Sequence, residues 1–96
     1  MTRARSKVES ALRQKGFIER QSHHHQFVYA RADGRLTTLR TKTSHSPKVK
    51  DLGDDLLAQM AKQTGLDKRS FLELVDCPLS REAYEALLIE KGLLTQ

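Results

Sequence analysis

The chain has 96 residues, 38% hydrophobic and 30% charged, with two prolines, one cysteine and a formal net charge of +5. This is the length of one domain, with enough apolar residues for one modest core, which excludes a second domain of similar size and argues against disorder. No apolar run approaches the roughly 20 residues of a membrane span, and the basic start Met1–Lys7 has no apolar stretch behind it, so it does not read as a secretory signal.

The first element is a helix over Ser6–Lys15, capped by Ser6, with Val8, Ala11, Leu12 and Lys15 on one face. Gly16 stops it, because glycine tolerates the left-handed position after a helix. A strand follows over Phe17–Gln21. A second strand, His24–Arg31, sets Phe27 and Tyr29 on one face and Val28 and Ala30 on the other. Ala32-Asp33-Gly34-Arg35 is a hairpin turn, since Asp-Gly supplies the positive φ such turns need. The third strand is Leu36–Thr41, rich in threonine. Thr41–Lys50 is polar and short enough to be a loop within one domain.

A second helix is expected over Asp51–Thr64, with an apolar stripe of Leu52, Leu56, Leu57, Met60 and Ala61, ended by Gly65. Asp67 caps a short helix, Lys68–Val75, that turns Phe71, Leu72 and Val75 inward. Cys77-Pro78 breaks the chain. Ser80 caps the last helix, Arg81–Lys91, with Glu82 near its positive end and a stripe of Tyr84, Leu87 and Leu88. The order α-β-β-β-α with two further helices predicts an α+β fold: an antiparallel three-stranded sheet covered on one face by helices. That two-layer arrangement is the shape of a double-stranded-RNA-binding domain.

Charge is unevenly distributed. Residues 1–50 hold twelve Lys and Arg against the three acids Glu9, Glu19 and Asp33, whereas residues 51–96 hold five basic residues against nine acids. Neutralising phosphates releases counterions, so a polyanion suits the first half. The plainer alternative is a solvated basic surface. The lone Cys77 fits a reducing, cytoplasmic compartment and reads as a small apolar group rather than a nucleophile.

The unusual feature is Ser22-His23-His24-His25 at the start of the second strand. Three readings stand side by side. The imidazoles can simply be solvated. His23 and His25 can point the same way as two metal ligands, but no acid cluster or cysteine pair completes a set, so no metal or other cofactor is expected. Or a histidine can do acid–base chemistry on RNA, since it takes and returns a proton near neutral pH. Arg40, Lys42 and Lys48 would then position phosphates and relieve their charge.

Gly16-Phe17, Ser22-His23-His24-His25-Gln26-Phe27, Asp33-Gly34-Arg35 with Thr37 and Thr38, Gln63-Thr64-Gly65-Leu66 and Phe71-Leu72 follow one another in an order similar to the HicA family of toxin ribonucleases. The resemblance covers about residues 7–75. It implies a double-stranded-RNA-binding-like domain over 1–75, cleavage of messenger RNA, and neutralisation by a HicB-like antitoxin protein. It further implies that His24, three residues before Phe27, is the catalytic histidine, with His25 next in line, and that His45 in the loop contacts phosphate. Gln21 stands where the family often has glycine. Residues 76–96 extend past the family's usual end, as a C-terminal helical extension whose single apolar stripe reads as packing on the same domain. Two other classes remain open: a non-catalytic binder of double-stranded or structured RNA, and a protein-interaction module that docks through its acidic second half.

Overall fold

The computed structural model describes residues 2–21, 25–43, 50–76 and 78–95, together with the backbone but not the side chain of Gln21. In chain order the elements are β1 (Arg3–Ala4), α1 (Arg5–Gln14), β2 (Phe17–Gln21), β3 (His25–Ala30), β4 (Leu36–Thr43), β5 (Asp51–Leu52), α2 (Asp54–Gln63), α3 (Lys68–Asp76) and α4 (Arg81–Glu90). The fold is α+β. Strands β2, β3 and β4 form an antiparallel sheet in that order, and the helices gather on one side of it.

Helix α1 buries Val8, Ala11 and Leu12 at helical spacing, as the sequence predicts, but Ser6 does not cap it. The N-cap is Ala4, which offers no side-chain acceptor. A short antiparallel ladder replaces the cap: Arg3 pairs with Leu52 and Ala4 with Asp51. The Arg5 N–H then donates to the Lys50 carbonyl at 2.8 Å, so a distant strand satisfies one of the helix's orphan donors. The same ladder corrects the second helix. Asp51 and Leu52 belong to β5, Gly53 is the N-cap, and the helix proper starts at Asp54. Its buried stripe is Leu57, Met60 and Ala61, while Leu56 is 46% exposed.

In α3 the fully buried residues are Phe71, Leu74 and Val75, with Leu72 only partly buried; Leu74, not Leu72, completes the inward face. Asp67 Oδ1 accepts the Ser70 N–H at 2.7 Å and Ser80 Oγ accepts the Ala83 N–H at 3.1 Å, so both expected caps form. At the hairpin, Gly34 takes a φ of +89°, and Asp33 accepts from the Arg35 backbone N–H and Nε at 3.0 and 2.7 Å.

Helix α4 completes the core. Tyr84 and Leu88 are fully buried in the same cluster as Val8, Leu12, Phe27 and Phe71. The Tyr84 ring packs edge-on against Tyr29 at 5.0 Å and stacks near Phe17 at 5.7 Å, and its hydroxyl donates to the Thr64 carbonyl at 2.7 Å. Burial of each such side chain contributes about 1.5–3 kcal/mol. The segment after α4 folds back over Gly65, where a Cβ would meet Leu93 Cδ1 at 2.7 Å and Leu88 Cδ2 at 3.0 Å.

Candidate nucleic-acid interface

Alternation along the three long strands sorts their side chains onto two faces. Phe17 and Glu19 of β2, His25, Phe27 and Tyr29 of β3, and Thr41 and Thr43 of β4 face the helices. Ile18, Arg20, Gln26, Val28, Thr38, Arg40 and Lys42 face the other way. In β4 the burial pattern shows the alternation directly: Leu36, Thr38, Arg40 and Lys42 are exposed, and Thr41 and Thr43 are buried. Val28, on the same face, is only 3% exposed and stands in register between Ile18 and Arg40.

Among the described residues of β2, β3 and β4, the uncovered face carries no carboxylate. The only acid in β2, β3 or β4 is Glu19, which points to the helices. Arg20, Arg40 and Lys42 therefore stand on one surface, and among the described residues none of them makes an ion pair or a side-chain hydrogen bond. Most other arginines are bound up elsewhere: Arg3 with Asp76, Arg13 with Glu19, Arg31 with Glu85, Arg35 with Asp33, and Arg81 with the Ala30 carbonyl.

His25 sits on the opposite side of the sheet. Its Nδ1 lies 2.8 Å from Glu19 Oε2, and the other Glu19 oxygen accepts from Arg13 Nε at 2.9 Å. The Arg13 guanidinium, and secondarily His25, hold the Glu19 carboxyl below its ordinary range. Arg13 also lies over the Phe27 ring, 5.9 Å from its centroid. Across the strand, Thr43 pairs with His25 in register and donates to Glu9 Oε2 at 2.5 Å. These residues close the seam between α1 and the sheet. A carboxylate on one ring nitrogen orients the imidazole, so His25 is a positioned group, but the sheet separates it from Arg40 and Lys42.

His24, His45 and Lys48 lie outside the described residues. Of the predicted site residues, Arg40 and Lys42 are brought together, and His25 is set apart from them. Sequence reasoning missed Arg20 and Gln26, which join Arg40 and Lys42 on the uncovered face. The signal was present: in Phe17–Gln21 and His25–Ala30 the even positions lie opposite the apolar odd ones Phe17, Phe27 and Tyr29. Among the described residues no three of His, Cys, Asp or Glu gather as metal ligands.

The chain matches no family profile, no curated protein and no solved structure. What bears on its chemistry is the surface itself: three cations that form no ion pair among the described residues, beside a carboxamide and the apolar Ile18 and Leu36, exposed by 46% and 47%. Guanidinium and ammonium groups left unpaired on an acid-free surface favour a polyanion. Among the described residues no helix is long and apolar enough to cross a membrane.

Proposed function

We propose that this protein is an RNA-binding toxin of the HicA kind, a metal-independent endoribonuclease that works in the cytoplasm and is neutralised by a HicB-like antitoxin. The observation that carries the RNA-binding part is the acid-free face with Arg20, Arg40 and Lys42. The order α1-β2-β3-β4-α2, interrupted only by the two-residue β5 before α2, supports a domain of the double-stranded-RNA-binding shape.

The catalytic part rests on the residue order that resembles HicA. His25 is next in line by residue order but is held by Glu19 across the sheet from Arg40 and Lys42, so His24 is the proposed general base. It takes the proton from a ribose 2′-hydroxyl; the 2′-oxygen then attacks the adjacent phosphorus, and the bond to the 5′-oxygen breaks as that oxygen takes a proton from solvent, to which His24 returns its own. The products are a 2′,3′-cyclic phosphate and a 5′-hydroxyl. Arg40 and Lys42, with Lys48 and His45 from the loop, would stabilise charge on the phosphate oxygens. Incubation with end-labelled messenger RNA tests this. Fragments bearing cyclic phosphate are expected with chelator present, and none from His24→Ala. Cleavage by His24→Ala at the parent rate removes His24 from the chemistry, and loss of cleavage on chelation replaces the histidine mechanism with a metal-dependent one.

A second reading, a non-catalytic binder of structured RNA, draws on one observation: His25, the one described histidine, is held by Glu19 on the far side of the sheet from Arg40 and Lys42. It predicts salt-sensitive retention of RNA without fragments.

A further inference from the structure

We infer that a recess at β4 takes one unpaired nucleobase of single-stranded RNA, its edge read by Gln63 and Gln26 while Arg40 and Lys42 hold the flanking phosphates. The inference rests on the RNA-binding function proposed above and narrows it to unpaired RNA with a base preference.

The recess has a volume of about 250 Å³ and lies at the edge strand β4, where Gln26, Arg40 and Lys42 of the open face and Thr41 and Gln63 of the helix side line it together. Drug-sized ligand pockets begin at roughly 300 Å³, so this one has room for a single ring system. No lining residue is acidic. Two are cations and two are carboxamides, and that mixture decides the ligand class. A bare anion needs donors alone. A carboxamide sets an acceptor beside a donor in one plane, which matches the edge of a nucleobase.

Gln63 is also positioned. It is the last residue of α2, and its Oε1 accepts the hydroxyl of Thr41 at 2.7 Å. Thr41 is 2% exposed and fixed in the sheet opposite Phe27. The bond fixes the amide plane and leaves Gln63 its second carbonyl lone pair and both N–H donors. Arg40 and Lys42 lie two positions apart on β4, about 7 Å along the strand, so a chain laid along β4 meets one cation and then the other. In an A-form duplex the base edges are stacked and paired within narrow or shallow grooves, whereas an unpaired strand can turn a base outward.

The test uses the full chain carrying His24→Ala, so that the RNA stays intact, and fluorescence anisotropy with ten-nucleotide A, U and C homopolymers and a blunt RNA duplex. The expected result is a preference of at least about five-fold among the homopolymers, in line with the low end of carboxamide–base discrimination, and weaker binding of the duplex. Gln63→Ala should collapse that ratio with little loss of average affinity. Thr41→Val, which keeps the side-chain volume and removes the hydroxyl that holds Gln63, should relax it in the same direction. Arg40→Ala with Lys42→Ala should weaken all three homopolymers alike. Equal affinity for the homopolymers, or a ratio unchanged by Gln63→Ala, overturns the base site while leaving RNA binding intact. If this chain, with its sheet unaltered, retains no RNA even at low salt, RNA binding itself falls. Circular dichroism of each variant confirms that the fold is kept.

Discussion

The two faces of the three-stranded sheet are built from alternate residues of the same strands, yet they treat polar groups in opposite ways. On the helix side the described charges and hydroxyls of the strands find partners. Glu19 has Arg13 and His25, Thr43 has Glu9, Thr41 has Gln63, and Lys15, only 8% exposed, donates to the Leu79 carbonyl at 2.6 Å. Among the described residues no buried side-chain nitrogen or oxygen lacks a hydrogen bond. On the other side Arg20, Gln26, Arg40 and Lys42 have no such matches among the described residues. Burial makes an unmatched polar group costly, so a folding chain must pair its covered face. Water removes that pressure from the open face, which is thereby free to carry charge for a ligand.

The largest expected effect lies on the covered side. Tyr84→Ala removes a ring packed against Phe17 and Tyr29 and should cost about 3–5 kcal/mol. Urea denaturation should show one transition moved to lower denaturant. A separate early transition confined to α4 would break the view that one core spans both halves of the chain.

The next effect belongs to the open side and should leave stability almost untouched. Arg20→Ala, Arg40→Ala and Lys42→Ala combined should shift unfolding by no more than about 0.5 kcal/mol per site. The same variant should flatten the slope of log affinity for single-stranded RNA against log salt by about 2, from roughly 0.7 per lost phosphate contact. An unchanged salt slope would show that the polyanion binds elsewhere. Gly65→Ala should cost about 1–2 kcal/mol from its φ of +83° alone, and more from the Leu93 and Leu88 methyl groups, read as a lower melting temperature.

The smallest effect is in acid. Glu19 titrates lower in the folded protein than its ordinary value because of Arg13 and then His25. Its contribution is therefore complete above the unfolded carboxyl pKa of about 4.3 and is lost as pH falls through the lower folded value. Glu19→Gln should narrow the stability gap to the parent as pH drops below about 4, by 1 kcal/mol or less for so accessible a pair. Asp76, held down to about 2 by Arg3 and then Lys7, follows the same sign at lower pH. A gap independent of pH would mean that Glu19 supports the seam by packing rather than charge.

Much of the architecture is legible in local pattern. The helical spacing of Val8, Ala11 and Leu12, the Asp33-Gly34 turn and the Ser80 cap depend on residues within a few positions of one another, and each forms as expected. The fate of Asp51 and Leu52 is different. Their periodicity continues a helix, but pairing with Arg3 and Ala4 nearly fifty positions away pulls them into a strand. The candidate site divides in the same way. Arg40 and Lys42 are visible as a basic strand with threonine between them. Gln63 reads as an ordinary helix end, and nothing near it in the chain points to Thr41.

From order, spacing and glycine placement alone, the chain determined its α+β class, its hairpins and the basic character of its first half, because those properties are set by short-range backbone preference and by summed charge. Only the tertiary structure decided which cations stay unpaired, that His25 is held by Glu19 on the covered side, and that Gln63 meets Thr41 in the recess that Arg40 and Lys42 also line. Those outcomes depend on which distant side chains meet once the helices have covered one side of the sheet; alternation along a strand sorts its residues into two faces but does not say which face is covered or what packs against it.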